Sequence, residues 1–334
     1  IWIKDLQVYG NAGLDYSRSS EPADSPYARF FDLTKNPSPH STPTEALIGI
    51  LKSRGLADAR IGLDMEGLPV ETLGSIRAAL PQASLQDCTN LIRLIRAVKT
   101  GDEIERQERA AAISEEAAIE SAKLATPGRR IADLVECYRT RIAALGADFD
   151  HFAYGPLGYG IATEPDYLLA ADNFMFMDFG CIFRRCISDS GVTLVVGKLP
   201  SDLRAIYDGL YASIEAAQQA MRPGVKSSAI QEIMKNEVDA RGINAPNPHG
   251  HGLGLEVRDY PMIMPDNGLR LRDECIDVPS DLPLEAGMVV NLEVNSFMAG
   301  VGSLHVERTV VVEAQGRRPI ALQQRKDPWE TVAG

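Results

Sequence analysis

One pattern of elements occurs twice in this sequence, and it restricts the fold more than any other feature. In the first copy, residues 102–126 lack Pro and Gly and are rich in Ala and Glu, so they read as a long helix. Pro127-Gly128 stops it, and a second helix follows with Ile131, Leu134, Val135, Tyr138, Ile142 and Leu145 on one stripe. In the second copy, Ser201 caps a helix bearing Leu203, Ile206, Tyr207, Leu210 and Ile214. Pro223-Gly224 breaks it, and Ile230, Ile233, Met234 and Val238 begin the next. Each helix pair is followed by two apolar stretches that read as a hairpin, 174–183 with 186–196 and 288–297 with 303–313. Helix, Pro-Gly, helix, hairpin, repeated, implies an internal duplication about a pseudo-twofold axis.

The remaining sequence forms a smaller α/β module ahead of this repeat, with strands at 2–9 and 60–63 and helices at 44–53 and 69–80. Its segment 11–41 is rich in Ser, Pro and Asp and reads as a long surface loop or lid. Two domains are therefore expected, 1–98 and 99–334, in an α+β chain of 334 residues. A net charge of −12 argues against nucleic acid or an anionic membrane as partner. No apolar run reaches the ~18 residues of a membrane span. Five cysteines, at 88, 137, 181, 186 and 275, form an odd set without a C-x-x-C pair. That disfavours a disulfide scaffold or zinc ribbon and favours a reducing cytoplasm. The chain begins at Ile1, which implies a native start upstream.

The chemistry is carried by acids on apolar strands. Asp178 follows Phe174-Met175-Phe176-Met177, and Asp189 belongs to the returning strand. Glu293 follows Val289-Val290-Asn291-Leu292, and Glu307 lies in His305-Val306-Glu307-Arg308-Thr309. A carboxylate in a buried strand must be neutralised or paired. Four at matched places in two repeats repel one another, and a cation is the simplest compensation. Two of the five histidines fall in the Gly-rich run Pro248-His249-Gly250-His251-Gly252. One imidazole with four carboxylates describes a two-metal hydrolytic site, in which a bridging water becomes acidic enough to attack near neutral pH.

These residues also carry a resemblance. Asp178 and Asp189, the run His251-Gly252-Leu253-Gly254-Leu255, the run Leu284-Glu285-Ala286-Gly287-Met288 and the Val306-Glu307-Arg308-Thr309 segment are similar to the pita-bread metallopeptidase superfamily of methionine aminopeptidase, Xaa-Pro aminopeptidase, prolidase and creatinase. The N-terminal module, followed by Leu91-Ile92-Arg93-Leu94-Ile95-Arg96-Ala97-Val98-Lys99, resembles the creatinase/prolidase branch. The resemblance implies a C-terminal pita-bread fold behind a creatinase-type N-terminal domain, and a metallohydrolase binding two divalent ions such as Mn, Co, Fe or Zn. It implies Asp178 as a bidentate ligand of one metal, Asp189 and Glu307 as bridging ligands and His251 as the single imidazole on the other metal. Glu293 then serves as ligand and as general base or acid. A homodimer is expected, acting on a small peptide of the Xaa-Pro type.

Three departures from the family pattern bear on the substrate. The histidine about seventeen residues before the first Asp ligand is missing from Tyr159-Gly160-Ile161-Ala162-Thr163-Glu164, and His151 lies too far upstream to replace it without a gap. Tyr159 is a candidate for the vacant polar role. Seven residues after His251 stands Arg258 in place of a second histidine, a permanent cation suited to clamping a carboxylate. Asn247 replaces the histidine four residues before His251, and Asp189-Ser190-Gly191-Val192-Thr193 replaces Asp-x-Thr-Arg-Thr. His249 is assigned to the pocket, and His305, on the strand face of Glu307, to orienting that ligand or to packing. Residues 266–282 read as a lid or a surface loop. Cys181 and Cys186 read as solvated turn residues, and the acids of 103–120 as the wet face of their helix. The alternative substrate is a small carboxylate-bearing zwitterion, as for creatinase, ectoine hydrolase or a dimethylsulfoniopropionate lyase.

Overall fold

The structure, a computed structural model, describes residues 6–10, 13–18, 27–35, 38–320 and 326–331. The chain divides into two compact units, Ile1–Ile92 with Arg272–Ile276, and Arg93–Leu271 with Asp277–Gly334.

In the first unit, helices α1 (Ala28–Lys35) and α2 (Pro43–Ser53) precede a strand–helix–strand unit of β1 (Arg60–Leu63), α3 (Val70–Ala79) and β2 (Ser84–Asp87). β1 and β2 pair in parallel, as a helical crossover requires. The Thr42 hydroxyl caps α2 by accepting from the Glu45 amide at 3.1 Å, and Pro43 begins the helix where its missing N–H costs nothing. Two expectations change here. The segment 11–41 holds α1 as well as loop. The strand expected at 2–9 falls partly on residues 1–5, outside the described ones, and Leu6–Tyr9 take no strand conformation. Helix α4 (Thr89–Ala97) leads toward the second unit.

The second unit contains the duplicated pattern. α5 (Gly101–Ala122) and α6 (Ile131–Ala144) are followed by β3 (Asp148–Gly155), β4 (Phe174–Phe183), β5 (Cys186–Ile187) and β6 (Ser190–Val196). α7 (Ser201–Ala220) and α8 (Ser227–Ala240) are followed by β7 (His249–Gly252), β8 (Asp259–Ile263), β9 (Arg270–Arg272), β10 (Asp277–Pro279), β11 (Val289–Met298), β12 (Gly302–Glu313), β13 (Gly316–Pro319) and β14 (Trp329–Thr331). One sheet runs β14-β6-β4-β3 with β5 beside β4, and the other runs β13-β12-β11-β7-β8. Each is backed by its own helix pair. Ile113, Leu134, Tyr138 and Ile142 pack on Met175, Met177 and Phe179, while Leu210, Ile214, Ile230 and Met234 pack on Val290, Leu292 and Val306. The sheets are stitched together where β6 meets β12. The Thr193 hydroxyl donates to the His305 carbonyl at 3.0 Å and accepts from the His305 amide at 2.8 Å.

Several local readings are corrected. Proline 200, not Ser201, is the N-cap of α7, and it offers no side-chain bond. Glu115 is buried within α5, so the acids of 103–120 are not all solvated. Cys181 and Cys186 are both buried. Only Arg184 and Arg185 form the tip between β4 and β5, with φ of 50° and 74°. Within 266–282, read as a lid or a surface loop, β9 and β10 pair as a two-stranded sheet, which leaves both readings open.

Candidate active site

Three neighbouring strands build one polar surface. Along β11, Val290, Leu292 and Val294 face the helices while Asn291, Glu293 and Asn295 face the other way, as the two-residue strand period requires. Across the ladder, His249 on β7 and Glu307 on β12 are the direct partners of Glu293; His251 and Thr309 are those of Asn291. The face that an antiparallel sheet would leave to solvent therefore presents imidazoles, carboxylates and amides in register. His249 Nε2 lies 2.8 Å from Glu293 Oε1, and its Nδ1 is held by the Asn247 carbonyl at 2.9 Å. His305 Nε2 lies 2.8 Å from Glu307 Oε2, with Nδ1 against Asn295 Oδ1. The Asn291 amide donates to the other Glu307 oxygen.

The first sheet closes this surface. Asp178 projects from β4, and Asp189 sits in the break between β5 and β6. Asp189 reaches His251 Nε2 at 3.4 Å, and that nitrogen is 3.9 Å from Glu293. Gly191, opposite Asp178 in the ladder, is a structural necessity. A Cβ there would meet His305 Nε2 at 1.9 Å and Glu307 Oε2 at 2.2 Å. From β3, His151 inserts Nε2 at 3.0 Å from Asp178 Oδ1 and 3.3 Å from Asp189 Oδ1.

Burial sets the electrostatics. It is the main reason the Glu307 carboxyl lies well above the usual carboxylate range, and the charges of Asp189, Asp178 and Glu293 add to it. Asp189 is also raised, by burial and by Asp178, against hydrogen bonding from His151. Burial would raise Glu293 too, but the hydrogen bond and charge of His249 outweigh it and hold Glu293 at about 2. Burial opposes the charge on His151, yet hydrogen bonds to Asp150, Asp178 and Asp189 raise it to about 12. Burial lowers His305 below the usual imidazole range.

Residues 158–314 match the profile of metallopeptidase family M24, and residues 18–98 match that of the creatinase/prolidase N-terminal domain. The chain belongs to the M24 pita-bread superfamily. It is 26% identical to the uncharacterized peptidase YqhT of Bacillus subtilis over 78% of this chain and 72% of that one. In fold it is similar to the X-Pro aminopeptidase of Thermotoga maritima, with TM-score 0.74 and 19% identity over 92% and 84% of the two chains. The prolidase of Pyrococcus furiosus gives TM-score 0.71 and 22% identity over 90% and 85%. This M24 chain is thus a metallohydrolase by family, with the creatinase-type module in front of the pita-bread unit.

The donor set suits the family's metal dependence. Buried carboxylates that drive one another's pKa upward are what a bound divalent cation relieves, and His151, Asp178 and Asp189 offer ligand atoms all within 4.8 Å of one another. The structure brings Asp178, Asp189, His251, Glu293 and Glu307 together, with His249 on Glu293. Arg258 is exposed, and its charge opposes protonation of His249. Tyr159 does not join the cluster. It is 76% exposed, its hydroxyl against the turn at Gly300.

One correction follows from the geometry. Four of the five histidines touch the site's carboxylates, His249 and His305 where the sequence placed them and His151 where it did not. His151 is not too distant, because β3 runs antiparallel to β4 and carries it back to Asp178. The signal available in the sequence was the aromatic-rich octet of β3, Asp148-Phe149-Asp150-His151-Phe152-Ala153-Tyr154-Gly155.

Proposed function

We propose that this chain is a dinuclear metal-dependent peptidase that cleaves the amide bond of short Xaa-Pro peptides, and that it works as a homodimer. The observation that carries the reading is the convergence of Asp178, Asp189, Glu293 and Glu307 with His251 where the two sheets meet. Asp178, Asp189 and Glu307 would hold one ion, and Asp189, Glu307, Glu293 and His251 the other. When bound, such ions acidify the attacking water and polarise the scissile carbonyl.

The chain's own residues supply the rest. Glu293 stays ionised because His249 donates to it, so its carboxylate is ready to accept a proton. The proton can be shared between Glu293 Oε1 and His249 Nε2, 2.8 Å apart, until the leaving amine takes it. His249 is fixed for this by its second nitrogen on the Asn247 carbonyl, which replaces the orientation a separate auxiliary histidine would give. Glu293→Gln is expected to lower kcat on Xaa-Pro dipeptides by about 10²–10⁴-fold. A variant of wild-type activity would reject the proton role.

A second reading has its own observation, an exposed Arg258 whose charge acts on His249. Its guanidinium would clamp the carboxylate of a small zwitterionic amide. On this reading Arg258→Ala raises KM at least tenfold for such a compound and leaves kcat nearly unchanged. A homodimer gives twice the mass of one 36.3 kDa chain in light scattering, and a monomer mass contradicts it.

A further inference from the structure

We propose that His151 is an additional metal ligand, so that the ion held by Asp178 and Asp189 is bound by an imidazole as well as by carboxylates. The inference rests on the metal-dependent reading of the site and goes beyond it in assigning a residue and a donor type. Nε2 of His151 lies 3.0 Å from Asp178 Oδ1 and 3.3 Å from Asp189 Oδ1. Donor atoms bound at about 2.1 Å to a common ion stand roughly 3.0–3.4 Å apart, at octahedral or tetrahedral angles.

The other face of the ring is prepared in the way metal-binding imidazoles are. Nδ1 lies 2.7 Å from Asp150 Oδ2, so that carboxylate accepts the Nδ1–H bond and fixes the ring, while the Nε2 proton now directed at Asp178 and Asp189 is the one a metal ion between them would displace. The backbone is arranged for it. The pairing of β3 with β4 shifts register between Phe149 and His151, and a bulge of this kind re-aims a side chain. Opposite the ring stands Gly180, where a Cβ would meet the Ser188 carbonyl oxygen at 2.3 Å and His151 Cε1 at 2.4 Å. The internal repeat gives a separate argument. β3 pairs antiparallel with the strand bearing Asp178, as β7 pairs with the strand bearing Glu293. Each repeat thus places an imidazole on the strand beside its acid-bearing strand, His151 in the first and His251 in the second, and both rings reach Asp189, at 3.3 and 3.4 Å. A second imidazole moves the pair of ions from a carboxylate-dominated set toward Zn²⁺ and Co²⁺ and away from Mn²⁺.

The test uses the full chain stripped with chelator and titrated with Zn²⁺ alone, following bound metal by equilibrium dialysis and imidazole scattering by X-ray absorption. Wild type should bind two ions with two imidazoles per pair. His151→Gln should keep one ion, weaken the other at least tenfold and lose one imidazole; Asp150→Asn should weaken that same ion by about 10–100-fold. Two ions with one imidazole per pair in wild type would overturn the proposal while leaving the proposed function intact, whatever the variants do. Unchanged or tighter binding by His151→Gln would overturn it too, making His151 a counter-charge. No Zn²⁺ bound by wild type would reject both readings.

Discussion

Glycine 191 shows how closely single residues are fitted to this site. It occupies the ladder position opposite Asp178, and the space its missing side chain leaves is filled by His305 and Glu307. The Gly191→Ala variant must push both side chains aside. It is expected to fold, with metal affinity reduced by at least tenfold, which isothermal titration would measure. Wild-type affinity would show that His305 and Glu307 have room to shift. At this scale the sequence was legible where an acid stood on an apolar strand, as at Asp178, Glu293 and Glu307, because strand alternation alone assigns the face. It was not legible at His151. The bulge after Phe149 breaks the alternation, and the pairing that brings the ring to Asp178 joins residues 27 apart. Nor did spacing reveal that His249 stands directly across from Glu293, since that depends on the register of β7 against β11.

The elements that position these residues divide by how local their causes are. Helix α5 is announced by its own sequence: Thr100 and Glu103 form a capping box, with the Thr100 amide donating to Glu103 at 2.8 Å, and Pro127-Gly128 follows its end. Removing the cap with Thr100→Ala should cost about 1 kcal/mol. That corresponds to roughly 2–4 °C in a unit of this size by differential scanning calorimetry. An unchanged melting temperature would mean that packing of the buried Ala and Ile positions alone holds the helix start. Strands depend on partners instead. β3 has few aliphatic residues and forms because β4 offers a complementary edge, while Asp189 leaves the ladder between β5 and β6. Helix α1 lies in a segment whose Ser and Pro content suggested only loop.

For the whole molecule, the carboxylate cluster makes stability depend on pH and on metal together. The pKa of Glu307 is raised in the fold above its ordinary 4.5, so its contribution is fully favourable below that pH and is lost as pH rises through the folded value. Glutamine cannot ionise. Metal-free Glu307→Gln should therefore melt higher than metal-free wild type at pH 8, by roughly 2–5 °C, and the two should converge below pH 4.5. Added metal should reverse the order, because only wild type keeps the ligand. Among the described residues no helix is long and apolar enough to cross a membrane. The duplicated pattern of helix pair and hairpin was visible in the sequence as periodicity, and each copy became one sheet with its helix pair. The meeting of the two sheets, which makes four separated acids into one site, was visible only as matched placement.

Elemental metal analysis of the protein purified without chelator, alongside Asp178→Ala, tests the metal centre most directly. About two equivalents of divalent metal per chain are expected, reduced in the variant. No bound metal in wild type, even after incubation with Mn²⁺, Co²⁺ or Zn²⁺, would contradict that expectation.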